Sequence, residues 1–464
     1  MGRTCGVTFV TLPAGYRHPN IAEGRHFLFK AYPQIVVDVA PKLEVGMKRA
    51  RFLVAAGTLL IVVLAWGAVG CGGPKGCSAA VPGQNGGSSG GTGGGSSPGP
   101  NACTPSNSGG GGGGTTAGGT YLLIADAGGV QGEMLNPTAK QISVTSNWNP
   151  VNVDTNVPGT WMAVSQSKYL YVAYPSVGQI YGFAIAQNGV ASFLNSGVPY
   201  SAGYLINGFS PGDQAMIANP AGTLLFVLDP SIGQLHTYQI DSGGGLTEAS
   251  NSPIYMPSGF VPFNLATDGL GAYLYVSDIE SGNVTGQVAG YSIGTGGALT
   301  ALPGSPFAMK LQQMQGDSSG KYMVGTTAGL FVPDNNVYLA SIGSNGVLST
   351  PVAYPAADSP QTVAVQPNQG GTLVYTFDLG GGVEGFQIDT SKGTLLTTAG
   401  SPFNIPGATG KFDPAGQYLF VAEQGSGSAT NILDVYDLTS TSNLTNVFAS
   451  VGWSSGAWVV TDTP

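Results

Sequence analysis

Tyr273-Leu274-Tyr275-Val276-Ser277-Asp278 is one of seven near-copies of a six-residue word, and the spacing of these copies decides the fold. They begin at Tyr121 (YLLIAD), Tyr169 (YLYVAY), Leu224 (LLFVLD), Tyr273, Tyr322 (YMVGTT), Leu373 (LVYTFD) and Tyr418 (YLFVAE), at intervals of 48, 55, 49, 49, 51 and 45 residues. A nearly constant period in this range marks a propeller or a solenoid, in which each repeat buries its apolar faces only by stacking on its neighbours.

Each word is rich in Tyr, Leu, Phe and Val and lacks the polar alternation of a strand with one wet face. Both faces must therefore be covered, as they are in a radial array where every blade lies between two others. A second apolar run follows, for example Val288-Ala289-Gly290-Tyr291-Ser292-Ile293, then a Gly-rich turn and Ala298-Leu299-Thr300. Its counterparts lie at 235–240, 383–388 and 433–438, with weaker versions at 180–185, 337–342 and 130–135. Apolar runs joined by Gly-, Asn- and Asp-rich turns read as hairpins. Before most words a third run ends in a turn, as in Ala215-Met216-Ile217-Ala218-Asn219-Pro220-Ala221-Gly222 or Thr362-Val363-Ala364-Val365-Gln366-Pro367. Four strands per repeat follow, and with them an all-β, seven-bladed propeller.

Residues 1–46 carry no repeat, yet they hold five of the fifteen cationic residues and two of the three histidines. Met47 is followed by Lys48, Arg49 and Arg51, an apolar run over 52–69, and Ala68-Val69-Gly70-Cys71, the layout of a secretory signal. The stretch 47–71 resembles a bacterial lipoprotein signal, which implies lipidation of Cys71 and an exported protein held to a bacterial membrane by its lipid, facing the periplasm or the cell exterior. On this reading residues 1–46 are a mis-started or disordered extension. The other reading of 52–69 is an uncleaved membrane helix, since about 18 apolar residues are near the lower limit for spanning. Residues 72–118 are Gly, Ser, Asn, Pro and Thr with almost nothing to bury, and they read as a disordered tether. A flexible Gly/Ser chain of that length reaches roughly 35–40 Å. Cys77 and Cys103 lie within it, either bridged after export or as free thiols.

The first repeat lacks a leading strand, because Tyr121 follows directly on the tether. The end of the chain offers an unpaired one, Ser455-Gly456-Ala457-Trp458-Val459-Val460-Thr461, after which no word follows. Joining it to the first repeat closes the ring through hydrogen bonds and leaves no open inner edge. One seven-bladed domain is thus expected over 119–464, with Trp458 and Val460 on one face of the closing strand and Val459 on the other.

Three motifs carry a family resemblance: the Tyr-x-Val-x-Asp strand ends, the run Asp413-Pro414-Ala415-Gly416-Gln417-Tyr418-Leu419-Phe420-Val421, and the Gly-x-Leu then Gly-Ser-Pro-Phe pattern at 297–307 and 393–403. On these residues the chain resembles the lactonase-like and YVTN-repeat seven-bladed propellers. The resemblance implies this fold and a lactonase, because the family includes enzymes acting on phosphogluconolactone and on muconate-type lactones. Those relatives use Arg, His and Glu around the central mouth, and no catalytic residue carries over to a position of this chain.

From Cys71 onward there are seven lysines, no arginine and 21 acidic residues, a net charge of −14. Nucleic-acid binding needs clustered Lys and Arg and is excluded. A phosphorylated lactone would lack the bidentate Arg fork suited to such groups. His236 is the one histidine of this stretch, so neither a multi-histidine metal site nor a triad without it can be built. It reads first as a polar residue on a middle strand.

One constellation remains. The sixth position of the word is acidic in five copies: Asp126, Asp229, Asp278, Asp378 and Glu423. An Asp that ends a strand commonly caps the turn after it. The same five carboxylates also suit an arc around the ligand face that holds a neutral sugar or a cation such as calcium. Two functions follow. One is an exported, lipid-anchored and monomeric binding or scaffold module for a protein or a neutral carbohydrate or lactone, with no cofactor. The alternative is a lactonase-type hydrolase acting on an uncharged lactone, with a carboxylate such as Glu423 or Asp278 assisting water.

Overall fold

The computed structural model describes residues 119–126, 129–148, 161–174, 177–187, 189–201, 214–230, 232–278, 286–327, 334–367, 372–378, 382–423, 431–440, 442–444, 447–453 and 457–462. The chain divides into two units, Met1–Asn107 and Ser108–Pro464, and all described residues belong to the second. The apolar run at 52–69, Cys71, Cys77, Cys103 and the tether lie outside the described residues.

Among the described residues there are seven antiparallel sheets, each with a core of four strands; six are joined in sequence order, and in the first the strand Ala457–Asp462 takes the inner place. Every word is the second strand of its blade: Thr120–Asp126, Tyr169–Tyr174, Leu224–Asp229, Tyr273–Asp278, Tyr322–Thr326, Leu373–Asp378 and Tyr418–Glu423. In blades two to seven the first strand is innermost, at Trp161–Ser165, Met216–Ala218, Pro262–Thr267, Gln313–Gly316, Pro360–Val365 and Gly407–Phe412. Each of these touches the next around the central axis, and Ala457–Asp462 fills the remaining place between Gly407–Phe412 and Trp161–Ser165. The ring is closed there by pairing with the first word, Leu122 opposite Val460 and Ile124 opposite Trp458.

The apolar words follow from this radial packing. In blade one, Tyr121 and Leu123 pack with Leu170 and Val172 of blade two, whereas Leu122 and Ile124 pack with Phe420 and Ala422 of blade seven. Successive side chains thus enter different inter-blade cores, and Leu225, Phe226, Val227 and Leu228 of blade three are all fully buried. The closing strand behaves likewise. Trp458 and Val460 are buried in the seam with blade seven, while Val459 packs from the other face against the core shared with blade two.

Tyrosine hydroxyls tie the blades together. Tyr171 donates to the carbonyl of Gly244 (2.8 Å) and Tyr275 to that of Gly346 (2.8 Å), in each case a turn between the third and fourth strands of the next blade. Tyr169 and Tyr273 reach Ser242 (2.6 Å) and Ser344 (2.8 Å) of the same turns, and Tyr375 reaches Ser442 (2.7 Å). Gly346 has φ +78° and would place a Cβ 2.5 Å from the Tyr273 ring, so backbone conformation and contact both demand glycine.

Three blades exceed the four strands expected. Tyr200–Ser201, Ile254–Tyr255 and Phe307–Ala308 pair with the third strands of blades two, three and four. The Gly-Ser-Pro-Phe word belongs to this return segment. Its serine hydroxyl accepts the third strand's N–H, Gly290 to Ser305 (2.9 Å) and Gly385 to Ser401 (3.0 Å), and Thr237 to Ser252 (2.9 Å) repeats the bond in blade three.

Deleting residues 455–464 removes the inner strand of blade one together with buried Trp458 and Val460, each worth about 1.5–3 kcal/mol. With the six paired residues lost as well, the expected destabilisation approaches the 5–15 kcal/mol typical of a whole domain. Deleting residues 72–118 is expected to leave the melting temperature almost unchanged. Thermal melts of the two deletions decide it: equal shifts would mean that the seam contributes nothing.

Candidate functional site

The two ends of a blade differ in chemistry, and strand direction is the reason. The second strand runs antiparallel to the inner one, so its last residue lies level with the inner strand's first: Asp278 opposite Pro262, Asp378 opposite Pro360 and Glu423 opposite Gly407. Each of these inner strands carries a bulge next to that pair, which bends the edge where the acid sits. Asp126 and Asp229 occupy the same register, facing Gly129 and Gln234 on their third strands. All five predicted positions therefore belong to one end of the ring.

The opposite end holds the repeated turn caps. Tyr273 N–H donates to Asp268 Oδ1 (2.7 Å), Tyr322 N–H to Asp317 Oδ1 (2.7 Å), Tyr418 N–H to Asp413 Oδ1 (2.6 Å) and Leu224 N–H to Asn219 Oδ1 (2.9 Å). These residues start the turn between first and second strands. The capping carboxylate that recurs is thus the one five residues before the word, as the run from Asp413 to Tyr418 displays, and its signal was already present in that motif.

The sixth-position acids have more varied surroundings. Asp278 is buried, and its Oδ1 accepts the Val261 N–H (2.7 Å) from the segment leading into the inner strand. Asp229 is fully buried. Glu423 is half-buried beside Asp434, and burial, then the charge of Asp434, raises its carboxyl. Ser450 Oγ donates to Asp434 Oδ1.

Blade six gathers three carboxylates. Asp378 ends the second strand, Glu384 lies on the third strand opposite Thr376, and Asp358 precedes the inner strand. Asp378 and Glu384 are each only 4% exposed. Ala357 N–H donates to Glu384, and Ser359 N–H donates to Asp358 Oδ1 (2.7 Å). Asp378 Oδ1 has no hydrogen-bond partner among the described residues. Burial first, then the charges of Glu384 and Asp358, pushes Asp378 up to about 7, and burial likewise raises Glu384. Two adjacent acids that resist joint ionisation, one of them half-protonated near neutrality, are suited to moving protons.

Glu384 and Asp434 went unnoticed in the sequence, although a signal existed. Both stand opposite the fourth residue of their word, where the other third strands carry Gln131, Tyr181, His236, Ala289 and Tyr338. Five of these seven residues bear a titratable group. His236 is buried on its middle strand with Nδ1 at 2.8 Å from Glu248 Oε1, which also accepts from Ser252 Oγ (2.9 Å). Among the described residues no group of three or more His, Cys, Asp or Glu is arranged to hold a metal ion.

These raised carboxyls dictate how stability depends on pH. A carboxyl whose folded value lies above its unfolded one keeps its proton better in the fold, so its stabilisation is present at low pH and is lost as pH rises toward the folded value. Asp378 at about 7, Asp413 at about 6, and Glu384, Glu133, Asp268, Asp462 and Glu423 all act in that sense, against Asp389, held at about 2 by its bonds to Ser391 and Lys392. The melting temperature is expected to rise between pH 8 and pH 5. Asp378→Asn is expected to stabilise the protein at pH 8 by about 2 kcal/mol, allowing for solvent screening, and to flatten that slope. A melting temperature that falls on acidification over this range would mean that these carboxylates are ionised in the fold.

No family model matches the chain, and no curated protein sequence matches it. Solved structures do. A protein from Lactobacillus plantarum superposes with a TM-score of 0.53 at 16% identity, over 73% of this chain and 100% of its own. A putative 6-phosphogluconolactonase from Bacteroides uniformis gives 0.53 at 15% identity, over 75% and 98%. The periplasmic gluconolactonase of Pseudomonas aeruginosa gives 0.52 at 15% identity, over 75% and 100%. With seven blades, each built on four strands, and a ring closed by Ala457–Asp462, the chain has the propeller fold of the lactonase-like proteins.

Proposed function

We propose that the propeller is a lactonase-type hydrolase acting on an uncharged lactone at the end of the ring where the words terminate. The observation that carries this is the blade-six group: buried Asp378, without a hydrogen bond on Oδ1 and half-protonated near neutrality, beside Glu384 and Asp358. A scaffold needs each acid only as a cap for its own turn, and that task falls to Asp268, Asp317 and Asp413 at the other end. The fold neighbours described as gluconolactonase and putative 6-phosphogluconolactonase bring the same reaction class. The lack of arginine after residue 51 favours the uncharged substrate over the phosphorylated one.

In the reaction Asp378, as carboxylate, takes a proton from the attacking water while the new C–O bond forms at the lactone carbonyl. The ring C–O bond then breaks, and the same proton passes to the departing alkoxide, giving a hydroxy acid. A group with a value near 7 is matched to both tasks at neutral pH. Glu384 acts by keeping the shared site short of one negative charge.

The purified propeller is expected to hydrolyse simple lactones such as glucono-δ-lactone above the spontaneous rate, with an acidic limb near pH 7, below which Asp378 is protonated and the rate falls. Asp378→Asn is expected to lower kcat/KM by about 10²–10⁴. A wild-type rate no faster than buffer over a panel of lactones, with and without calcium, or an undiminished Asp378→Asn, rejects the assignment. The export reading is tested separately: Cys71→Ser is expected to move the protein from the membrane to the soluble fraction, and unchanged membrane association would make the 52–69 run a true anchor.

A further inference from the structure

The wall of the central channel carries an unneutralised cation. A cavity of about 260 Å³ lies between the inner strands, lined by Met162, Met216, Gln315, Val363, Lys411 and Val459 among others, with no acidic side chain among its lining residues. It reaches toward the end of the first-to-second strand turns, where Pro367 and Pro414 contribute to its wall. Lys411 projects from the inner strand of blade seven. Its Nζ donates to the Trp458 carbonyl (2.6 Å) and lies 5.0 Å from the centre of that indole ring. Among the described residues no carboxylate comes within 4.0 Å of it, whereas Lys310 and Lys392 are paired with Asp334 and Asp389. Asp413 on the same stretch of chain accepts from Tyr418 N–H, and Asp462 on the adjoining inner strand accepts from Thr120 Oγ1 (3.1 Å).

Two glutamines, Gln214 and Gln315, complete the polar part of the wall. Gln315 Oε1 accepts the Val365 N–H (2.9 Å), which leaves the amide nitrogen as its donor end. An ammonium with one of its three protons used, an amide NH₂ and apolar Met and Val walls together offer donors at one place and hydrocarbon around it. The volume is below the 300–1,000 Å³ of pockets for drug-sized ligands, which limits the occupant to a few heavy atoms.

We propose that this cavity is a binding site for a short-chain monocarboxylate, its carboxylate on Lys411 Nζ and its hydrocarbon against Met162, Val363 and Val459. The site goes beyond the hydrolase reading and involves none of its carboxylates. A charge-assisted hydrogen bond to a desolvated ammonium is strong, and the anion supplies the missing counter-charge. Burial depresses Lys411 to about 8, so a bound anion restores its proton and binding draws protons from solution near pH 8.

Butyrate titrated calorimetrically into the purified protein at pH 8, in two buffers of different ionisation enthalpy, tests the site. Saturable binding with proton uptake is expected, weakening at least tenfold between pH 7 and pH 10, with no binding of butylamine. Lys411→Met is expected to lose the binding at least thirtyfold while melting at the same or a higher temperature, since it replaces a half-buried ammonium without a carboxylate partner by an apolar chain of similar length. Lys392→Gln, away from the channel, is expected to bind as the wild type does. No saturable heat up to about 50 mM butyrate, or equal binding by a folded Lys411→Met, overturns the site. Because lactone hydrolysis is measured on Asp378, either result leaves the hydrolase reading standing or falling separately.

Discussion

The tyrosine hydroxyl that crosses from one blade to a turn carbonyl of the next is the contact on which the ring depends. An apolar seam alone fixes neither the height nor the tilt of two sheets, because hydrophobic burial is not directional. A hydrogen bond of 2.8 Å from Tyr275 to Gly346 does both, and the Gly346 Cα must come close enough to the Tyr273 ring to exclude any side chain. Where the tyrosines are replaced, the restraint is rebuilt. Blade three has Leu224 and Phe226 instead, and there Gln239 Nε2 donates to Gly296 of the next turn (2.9 Å) while Leu224 packs under Gly297. At the closing seam Lys140 stands in the glycine's place with φ 52°, its ammonium 5.3 Å from the centre of the Phe448 ring.

Packing the words between blades leaves charge only a few places to go. Middle strands are walled in on both faces, so ionisable groups collect at strand ends, on the channel wall and at the third-strand position level with the fourth residue of the word. Strand direction then separates them. One end receives the acids that terminate the words, and the other receives the turn caps at Asn219, Asp268, Asp317 and Asp413. Lys411 lies between them on the wall, which gives an acidic protein a positive spot inside its own channel. That inversion of sign needs no long-range arrangement, only a lysine at a channel-facing position of one inner strand.

Strand identity was legible because it is a local property repeated seven times. Each word is a second strand, and the terminal run through Trp458 pairs where an unpaired strand had to go. The return segments at 254–255 and 307–308 were not legible, since two residues leave no periodicity to read. The blade-six site was hidden for a different reason. Asp378, Glu384 and Asp358 come from three segments, and the proximity of their charges depends on sheet register. Asp378 itself was visible as a repeated acid. What distinguishes it from Asp278 is the missing bond to a neighbouring N–H, which no spacing encodes.

The fold does not require an acid at that place. Blade two has Tyr174 and blade five has Thr327 at the corresponding position, and both blades form the same four-stranded core. Asp278 compensates its burial with the Val261 N–H, whereas Asp378 Oδ1 is buried without a partner and faces two further negative charges. A buried polar atom left unsatisfied costs roughly 1–3 kcal/mol, and an asparagine or threonine would avoid most of the repulsion. Blade six also departs from the alanine of blade four by placing Glu384 beside it, which increases the cost. Two substitutions at separate repeat positions that each weaken the fold and together create one half-protonated site are hard to explain by packing. They are readily explained by chemistry that needs a proton held near neutral pH.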